Sequence, residues 1–180
     1  MPDMLTIEKY EPNIHYNQLV ECLQELQEAK SSYPPKNTVT NIQPSAEEWL
    51  SGDEEGKDSH RFVAMLEGRV VGHIDITALH DYMVKFLKDN SFIHEDKDAE
   101  SYVEIGTFFV SPRAQKHGVG HQLFTHILRE SQIVGKVPTL AVVESHDSHK
   151  ATHLYERHGM RNIGAFQGTH GKNLIFIQDM

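Results

Sequence analysis

The segment FFVSPRAQKHGVGHQL, residues 108–123, decides the fold that we predict for this chain. It begins at the end of an apolar stretch that predicts a strand at 102–110, and it runs into a helical pattern over roughly 118–134. A helix start leaves backbone N–H groups unpaired and carries partial positive charge. Glycines, which lie in the loop between strand and helix, let a ligand approach the backbone closely. The pattern therefore predicts a phosphate-type anion site, with a simple strand–helix turn as the alternative.

Two common phosphate-binding motifs do not match this loop. A dinucleotide fingerprint requires a third glycine where the chain has Leu123. A P-loop requires Gly-Lys followed by serine or threonine, and neither GKV nor GKN in this chain supplies that sequence. What remains is the pattern Gln115-x-x-Gly118-x-Gly120 directly after the predicted strand.

Composition and charge limit the classes of function. The 180 residues fit a single domain, 1–180, with a sizeable core. The net charge of −9 disfavours non-specific binding to nucleic acid and would suit a small cationic partner. With no signal peptide and no long apolar span, we expect a cytoplasmic protein without membrane contact. Cys22, the only cysteine, falls in a helical pattern and is interpreted as a core residue.

The hydrophobic pattern predicts an α/β (α+β) protein with the element order β-α-α-β-β-(insertion)-β-α-β-α-β-β. We expect a hairpin turn at Glu67–Gly68 and a capping box, formed by Ser45 and Glu48, at the start of the second helix. The acid-rich segment 79–100 is interpreted as an insertion that holds a short helix and a loop. The β-α-β-α part implies a parallel strand pair within a mixed sheet.

The glycine loop resembles a motif of one known family. Gln115, Gly118 and Gly120 match the pattern Gln/Arg-x-x-Gly-x-Gly/Ala, which is the acetyl-CoA loop of the GCN5-related N-acetyltransferases, the GNAT family. This loop motif is by itself moderately specific for the family, so a second matching motif strengthens the resemblance.

That second match lies in the stretch SHKATHLYERHGM at 148–160, which is similar to a later helix of the family. Ser148 stands where the family usually has asparagine, and Met160 where it usually has phenylalanine. The residues in register with the family pattern are Ala151, Leu154, Tyr155 and Gly159.

The resemblance implies the GNAT fold: a mixed, twisted central sheet of about seven strands with about four helices, splayed after the fourth strand. It also implies that acetyl-CoA lies in the splay as co-substrate, with its pyrophosphate on the backbone amides of residues 115–120. The amide of Val110 would face the thioester carbonyl, in the manner of an oxyanion hole. The residues expected to contact acetyl-CoA are Phe108, Val110, Gln115, Lys116, His117, Gly118, Val119, Gly120 and Ser148.

Glu104 is the candidate general base. An alkyl amine titrates near ~10.4, so a proton must leave before or during attack. A carboxylate within an apolar strand is costly unless it is paired or solvated, and strict alternation would place Glu104 on one face with Phe108 and Val110. It lies eleven residues before Gln115, which is the spacing of the catalytic glutamate in histone-type members of the family. The alternative is a strand-end glutamate whose carboxylate is in solvent.

Tyr155 is the candidate general acid. The family commonly has a tyrosine at this position, directed at the sulfur of the cofactor, and a phenol is a reasonable proton donor to a thiolate. The alternative is a core tyrosine on an amphipathic helix.

The thirteen histidines raise the question of a metal site. His146, His149 and His153 could share one helix face, but no cysteine or carboxylate completes a recognisable ligand set. We therefore expect no metal and interpret these histidines as solvated side chains.

Together these patterns predict an N-acetyltransferase that moves an acetyl group to a primary amine of a small molecule or peptide, by direct transfer in a ternary complex. Two alternatives stay open: a non-catalytic acyl-CoA-binding sensor or regulator on the same fold, and an anion-binding domain without a cofactor. Acceptor specificity is expected in segments 30–45 and 79–100. The acidic residues of 79–100 favour a cationic acceptor, such as a polyamine, an aminoglycoside or a peptide amine. The oligomeric state is left open, with a homodimer as one option.

Overall fold

The computed structural model describes residues 4–29, 31–51, 59–145 and 148–178. Within these residues, seven strands form one mixed sheet in the order β1-β2-β3-β4-β5-β7-β6. The strands are β1 (Leu5–Lys9), β2 (His60–Leu66), β3 (Arg69–Thr77), β4 (Tyr102–Val110), β5 (Val137–Val143), β6 (Met160–Gly168) and β7 (Gly171–Gln178). This architecture confirms the predicted fold class.

Five α-helices surround the sheet in the described part of the chain. They are α1 (Pro12–Glu28), α2 (Ala46–Ser51), α3 (Asp81–Asp89), α4 (Val119–Ile133) and α5 (Ser148–Arg157). Short 3-10 helices span Asp96–Ser101 and Pro112–His117. None of the helices described here has the length and apolar character needed to cross a membrane.

The predicted splay lies between β4 and β5. These two strands are parallel, and their pairing covers only Tyr102–Ile105 against Val137–Leu140. Every other strand pair of the sheet is antiparallel. Beyond Ile105, β4 continues along β3 alone, while β5 continues along β7. The sheet is therefore open between the second half of β4 and the second half of β5.

The two faces of the sheet carry different helices. On one face, α4 buries Leu123, Phe124 and Ile127 in a cluster that also contains Tyr155 of α5. The other face is covered by α1, α2 and α3, whose apolar side chains form two further clusters. Cys22 of α1 is buried in one of these, as predicted, where burial and the neighbouring Glu25 carboxylate raise the pKa of its thiol to about 12.

Two local predictions from the sequence are confirmed. Glu67 and Gly68 both have positive φ, 53° and 76°, as a two-residue hairpin turn between β2 and β3 requires. At the start of α2, the Glu48 amide donates to Ser45 Oγ at 3.1 Å. The Ser45 amide donates back to the Glu48 carboxylate at 3.4 Å, which completes the capping box.

β4 contains a bulge that was not predicted. The residues Asp75 and His73 of β3 pair with Gly106 and Phe109 of β4, so three steps along β4 match two steps along β3. Thr107 lies inside the bulge and has a φ of 43°, which is rare for a residue with a branched Cβ.

The bulge reverses the alternation of side chains along the second half of β4. Phe108 and Val110 pack on the same cluster as Val103 and Ile105, on the α4 face of the sheet. Glu104 lies on the opposite face, where it contacts α3. The prediction that Glu104 shares a face with Phe108 and Val110 is therefore wrong, because one extra residue shifts the period-two pattern.

A buried histidine of β3 contacts the bulge. His73 Nδ1 lies 2.7 Å from the carbonyl oxygen of Thr107, and Arg61 Nε donates to His73 Nε2 at 3.1 Å. Because arginine can only donate, Nε2 is the acceptor and Nδ1 carries the proton that binds the Thr107 carbonyl. Burial, and then the charge of Arg61, lowers the pKa of His73 to about 3, so the ring is neutral at physiological pH.

Candidate active site

A cavity of about 660 Å³ occupies the opening between β4 and β5. Because the opening passes through the sheet, residues from both faces line it. We call the part lined by Val110, Gln115, Ser148 and Tyr155 the α5 side. The part lined by Tyr33, Trp49, Tyr82, Phe166 and His170 is called the aromatic side. Glu104 also lines the cavity. The two candidate catalytic residues, Glu104 and Tyr155, are thus brought to one cavity.

The glycine loop leads into the N-terminus of α4. Gly118 is the N-cap residue, with a φ of 72° that favours glycine. The Gln122 amide donates to the Gly118 carbonyl at 3.1 Å, so the amides of the intervening first turn have no acceptor within the helix. These groups form the positive end of α4 beside the cavity.

At Gly120, neither the backbone conformation nor a close contact with the rest of the described chain requires a glycine. A Cβ placed there would lie 3.7 Å from Phe108 and Val110, which is ordinary van der Waals contact. Its φ lies outside the left-handed region. A side chain at position 120 would project toward Phe108, Val110 and Leu154, which line or adjoin the cavity.

The other loop residues differ in what they can offer to a ligand. The side chains of Gln115, Lys116 and His117 are exposed, and Gln115 Nε2 donates to the Val110 carbonyl at 3.3 Å. Val119, in contrast, buries its side chain completely in the core, so only its backbone can reach a ligand. Of the residues predicted to contact acetyl-CoA, those that line the cavity are Phe108, Val110, Gln115 and Ser148.

The backbone of Val110 is directed toward the opening. The Ser111 amide donates to the Val71 carbonyl at 2.7 Å, and Val110 pairs with Gly72 in the same ladder. Antiparallel ladders alternate between residues that bond the neighbouring strand and residues whose N–H and C=O point away from it. The amide of Val110 therefore points away from β3, toward the side on which β5 has separated.

Tyr155 is a buried residue of α5 that also lines the cavity. Its ring packs against Phe124, Phe176 and Phe108, with centroid distances of 5.2, 5.6 and 6.4 Å. Burial raises the pKa of its hydroxyl above the usual range, so the phenol keeps its proton at physiological pH. Ser148, at the start of the same helix, uses its hydroxyl to donate to the Ser145 carbonyl and to accept from the Ser145 amide.

Glu104 is buried, at 4% relative exposure, so the solvent-exposed alternative for this residue is wrong. The His80 amide donates to Oε1 at 3.1 Å, and the Tyr82 hydroxyl donates to Oε2. The imidazole Nδ1 of His80 lies 3.1 Å from Oε2 as well. These contacts compensate for burying a carboxylate in the middle of a sheet.

The His80 ring lies next to the Glu104 carboxylate and is itself partly exposed. Its side chain is 42% exposed, lines the cavity and stacks on Tyr82 with a centroid distance of 5.8 Å. Burial and the adjacent Glu104 raise the pKa of the Tyr82 hydroxyl, so Tyr82 remains a hydrogen-bond donor. His80 and Tyr82 were missed from the sequence because they reach Glu104 only when α3 folds back onto β4. The sequence signal was a histidine and a tyrosine at the predicted start of a helix that follows a strand.

The segment between α1 and α2 covers the aromatic side. The amide and hydroxyl of Thr38 both donate to the carbonyl of Thr169, in the turn between β6 and β7, each at 2.9 Å. Trp49 Nε1 donates to the Tyr33 hydroxyl at 2.9 Å, and the Trp49 ring meets His170 edge-on at 5.8 Å. The predicted acceptor segment 30–45 therefore does border the cavity, through Tyr33.

The acidic residues of segment 79–100 lie elsewhere. Ion pairs join Lys85 to Asp89, Lys88 to Asp96 and Lys97 to Glu95 on the protein surface. Of this segment, only His80 and Tyr82 line the cavity in the described part of the chain. The acidic residues of this segment are therefore not part of the described lining of the cavity.

The histidines of α5 show no metal arrangement in the described residues. His149 and His153 are exposed, and His146 lies outside the described residues. No group of three or more potential metal ligands occurs in the part of the chain that the structure describes.

Comparisons with known proteins agree with this geometry. The sequence profile of the acetyltransferase (GNAT) family matches residues 20–160. A GCN5-related N-acetyltransferase from Kribbella flavida superposes with a TM-score of 0.67 at 16% identity, covering 98% of both chains. The ribosomal-protein-S18-alanine N-acetyltransferase from Escherichia coli gives 0.61 at 16% identity, covering 97% of this chain and 93% of that chain.

A further solved structure, the aminoglycoside 6'-acetyltransferase type Ii, superposes with a TM-score of 0.62 at 16% identity, covering 96% of both chains. At these identities the structures share the fold, and their substrates are not transferred to this chain. A search of curated protein sequences found no significant match. Because the family profile covers most of the sequence, the chain belongs to the GNAT family of acetyltransferases.

Proposed function

We propose that this protein is an acetyl-CoA-dependent N-acetyltransferase that acetylates a primary amine by direct transfer within a ternary complex. One observation carries the proposal. A single cavity through the sheet joins the α5 side, which adjoins the glycine loop, to the buried Glu104 carboxylate and its partly exposed partner His80 on the opposite face. A donor and an acceptor could thus meet from the two faces of the sheet.

The α5 side has features that fit acetyl-CoA. The absence of a side chain at Gly120 leaves the loop backbone accessible. The unpaired first-turn amides of α4 and the outward amide of Val110 are the groups that a pyrophosphate and a thioester carbonyl require. Lys116 and His117 are exposed beside this loop and would contact phosphate, while Phe108 and Ser148 would flank the pantetheine arm. Bound acetyl-CoA supplies an acetyl group that is already activated as a thioester.

The Glu104–His80 pair would remove the proton from the acceptor amine. Both carboxylate oxygens of Glu104 already accept hydrogen bonds, whereas the His80 ring is partly exposed at the cavity. A carboxylate beside an imidazole stabilises the positive charge that the ring gains when it accepts a proton, and Glu104 Oε2 lies 3.1 Å from His80 Nδ1. The amine nitrogen then forms its bond to the acetyl carbon as the carbon–sulfur bond breaks.

Tyr155 would protonate the departing sulfur. Tyr155 lines the cavity on the α5 side, and its hydroxyl keeps its proton because burial raises the pKa. A protein nucleophile is not needed for this reaction. The only cysteine, Cys22, is buried in the α1 core with a pKa of about 12, which makes it a poor nucleophile.

The test is CoA release from acetyl-CoA in the presence of a panel of primary amines, with mass spectrometry of the amine product. We expect CoA and an acetylated amine in equal amounts for at least one amine. Calorimetric binding of acetyl-CoA with no turnover of any amine would contradict the proposal and favour a sensor. Absence of acetyl-CoA binding would favour an anion-binding domain.

A further inference from the structure

The aromatic side of the cavity contains two groups of aromatic rings in contact with one another. One group comes from the α1–α2 segment, α2 and the β6–β7 turn, where Tyr33 meets Trp49 edge-on at 5.7 Å and Trp49 meets His170. The second group comes from α3 and β6, where Tyr82 lies 5.3 Å from Phe166. All of these rings line the same cavity. Aromatic faces attract both apolar groups and ammonium ions.

The described lining of the cavity contains few charged side chains. Among the described lining residues, Glu104 is the only carboxylate, and there is no lysine or arginine. None of the acidic residues of segment 79–100 is among the described lining residues, and two of them, Asp89 and Asp96, are paired with lysines on the surface. The described lining of the cavity therefore offers one negative charge, next to aromatic rings.

One carboxylate can balance one ammonium group. A polyamine or an aminoglycoside would bring additional cations that no carboxylate of the described lining balances, and contact with aromatic rings compensates for only part of the hydration that each cation loses. A monoamine with an apolar body would instead place its nitrogen at the Glu104–His80 pair and its body against the rings. The cavity volume, about 660 Å³, is that of a small-molecule site and is shared with the acetyl-bearing end of the donor.

We infer that the acceptor is a primary monoamine whose carbon skeleton carries an aromatic ring. This inference rests on the proposed function, since it assigns the amine of that same reaction. The ring packs among Tyr33, Trp49, Tyr82 and Phe166, and the amine nitrogen faces Glu104 and His80. The sequence predicted a cationic acceptor. This inference narrows the prediction to an acceptor with one positive charge and disfavours acceptors with several.

Binding separates this inference from the proposed function, because it can be measured without turnover. Calorimetry is carried out on the full chain with 2-phenylethylamine, n-butylamine and spermidine, with and without CoA. We expect 2-phenylethylamine to bind roughly 10- to 100-fold more tightly than n-butylamine, as a ring filling an apolar pocket should. Spermidine should bind no better than n-butylamine. Tighter binding of spermidine, or equal binding of the two monoamines, would overturn the inference.

A matched pair of variants identifies the rings responsible. Phe166→Leu removes a cavity ring, while Phe92→Leu makes the same change at another half-buried phenylalanine that does not line the cavity. We expect Phe166→Leu to lower the preference for 2-phenylethylamine over n-butylamine about tenfold and Phe92→Leu to leave it unchanged. An equal effect of both variants would overturn the assignment of the rings.

Acetylation of the same amines is then assayed separately. Preferential binding of 2-phenylethylamine without acetylation would contradict the proposed enzyme activity and leave the acceptor site intact. Acetylation of spermidine or of an aminoglycoside in preference to 2-phenylethylamine would support the enzyme and overturn the aromatic monoamine.

Discussion

The α5 side and the aromatic side of the cavity are built in different ways. Residues of the α5 side come from one continuous part of the chain, between Phe108 and Tyr155, which folds as strand, loop, helix, strand and helix. The aromatic side is formed by residues that are far apart in sequence, among them Tyr33, Trp49, Tyr82 and Phe166. Residues from one continuous segment can form a sequence motif that is recognisable, whereas residues brought together by long-range contacts form no such motif. Each prediction below tests whether the two sides have separate roles.

The largest effect is expected at the glycine loop. Gly120→Glu places a carboxylate where we expect pyrophosphate, and such like-charge contacts cost several kcal/mol, so acetyl-CoA affinity should fall more than 100-fold. The fold should persist, since a Cβ at position 120 meets only ordinary contacts with Phe108 and Val110 and the position has no left-handed φ. Calorimetry measures the affinity.

Gly120→Ala is the graded control, because it adds only a methyl group and should weaken acetyl-CoA binding less than Gly120→Glu does. Binding of the amine should be the same in both variants if the two sides are separate. Unchanged acetyl-CoA affinity in Gly120→Glu would remove the glycine loop from the site.

The next effect is on proton transfer. Glu104→Gln should lower kcat/KM by ~10²–10⁴-fold and weaken its rise with pH, since an amide cannot accept the amine's proton. His80→Gln should have an effect of similar size, and the double variant should be little worse than either, because the pair acts as one unit. Steady-state kinetics over a range of pH measures this.

Acetyl-CoA affinity should be unchanged in these variants, since Glu104 and His80 lie across the sheet from the glycine loop. Glu100→Gln makes the same chemical change at an exposed position outside the cavity lining and serves as control. Wild-type kcat/KM in Glu104→Gln at every pH would show that Glu104 has only a structural role.

A smaller effect is expected for the general acid. Tyr155→Phe should slow the chemical step by roughly one to two powers of ten, at the low end of acid–base effects, because a thiolate is already a fair leaving group. The raised pKa of Tyr155 also makes it a weak acid. Rapid-quench measurement of CoA release gives the rate, with Tyr102→Phe, outside the cavity lining, as the control. Equal rates in Tyr155→Phe and wild type would exclude this role.

The smallest effect concerns the bulge in β4, and it is an effect on the free energy of unfolding. The unfolded His73 binds a proton below pH 6.5, while the folded residue stays neutral down to about pH 3. Protons therefore favour the unfolded chain as the pH falls through this window, and stability should drop by about 2 kcal/mol between pH 7 and pH 5 from this residue.

His73→Asn should lack that part of the pH dependence, while its amide keeps a donor for the Thr107 carbonyl. Urea unfolding at pH 7 and pH 5 measures the difference, and His94→Asn, at an exposed position, is the control. The same pH dependence in His73→Asn as in wild type would contradict a buried, neutral His73.

The sequence predicted the fold and the α5 side because their signals are local. Gln115, Gly118 and Gly120 carry the loop motif, and apolar periodicity gave the order of the strands and helices. The bulge was missed because Thr107 gives no local sign of its positive φ, and this error placed Glu104 on the wrong face. The aromatic side depends on long-range contacts such as Thr38 with Thr169, which no local pattern contains. The acidic residues of 79–100 were misleading because none of them is among the described lining residues of the cavity.

Direct transfer between the two sides is the central claim, and intact-protein mass spectrometry combined with single-turnover mixing tests it most directly. Protein incubated with acetyl-CoA alone should remain unacetylated and release no CoA. Addition of 2-phenylethylamine should then give one acetylated amine for each CoA released. An acetyl adduct on the protein before the amine is added, or CoA release that does not depend on the amine, would contradict the account.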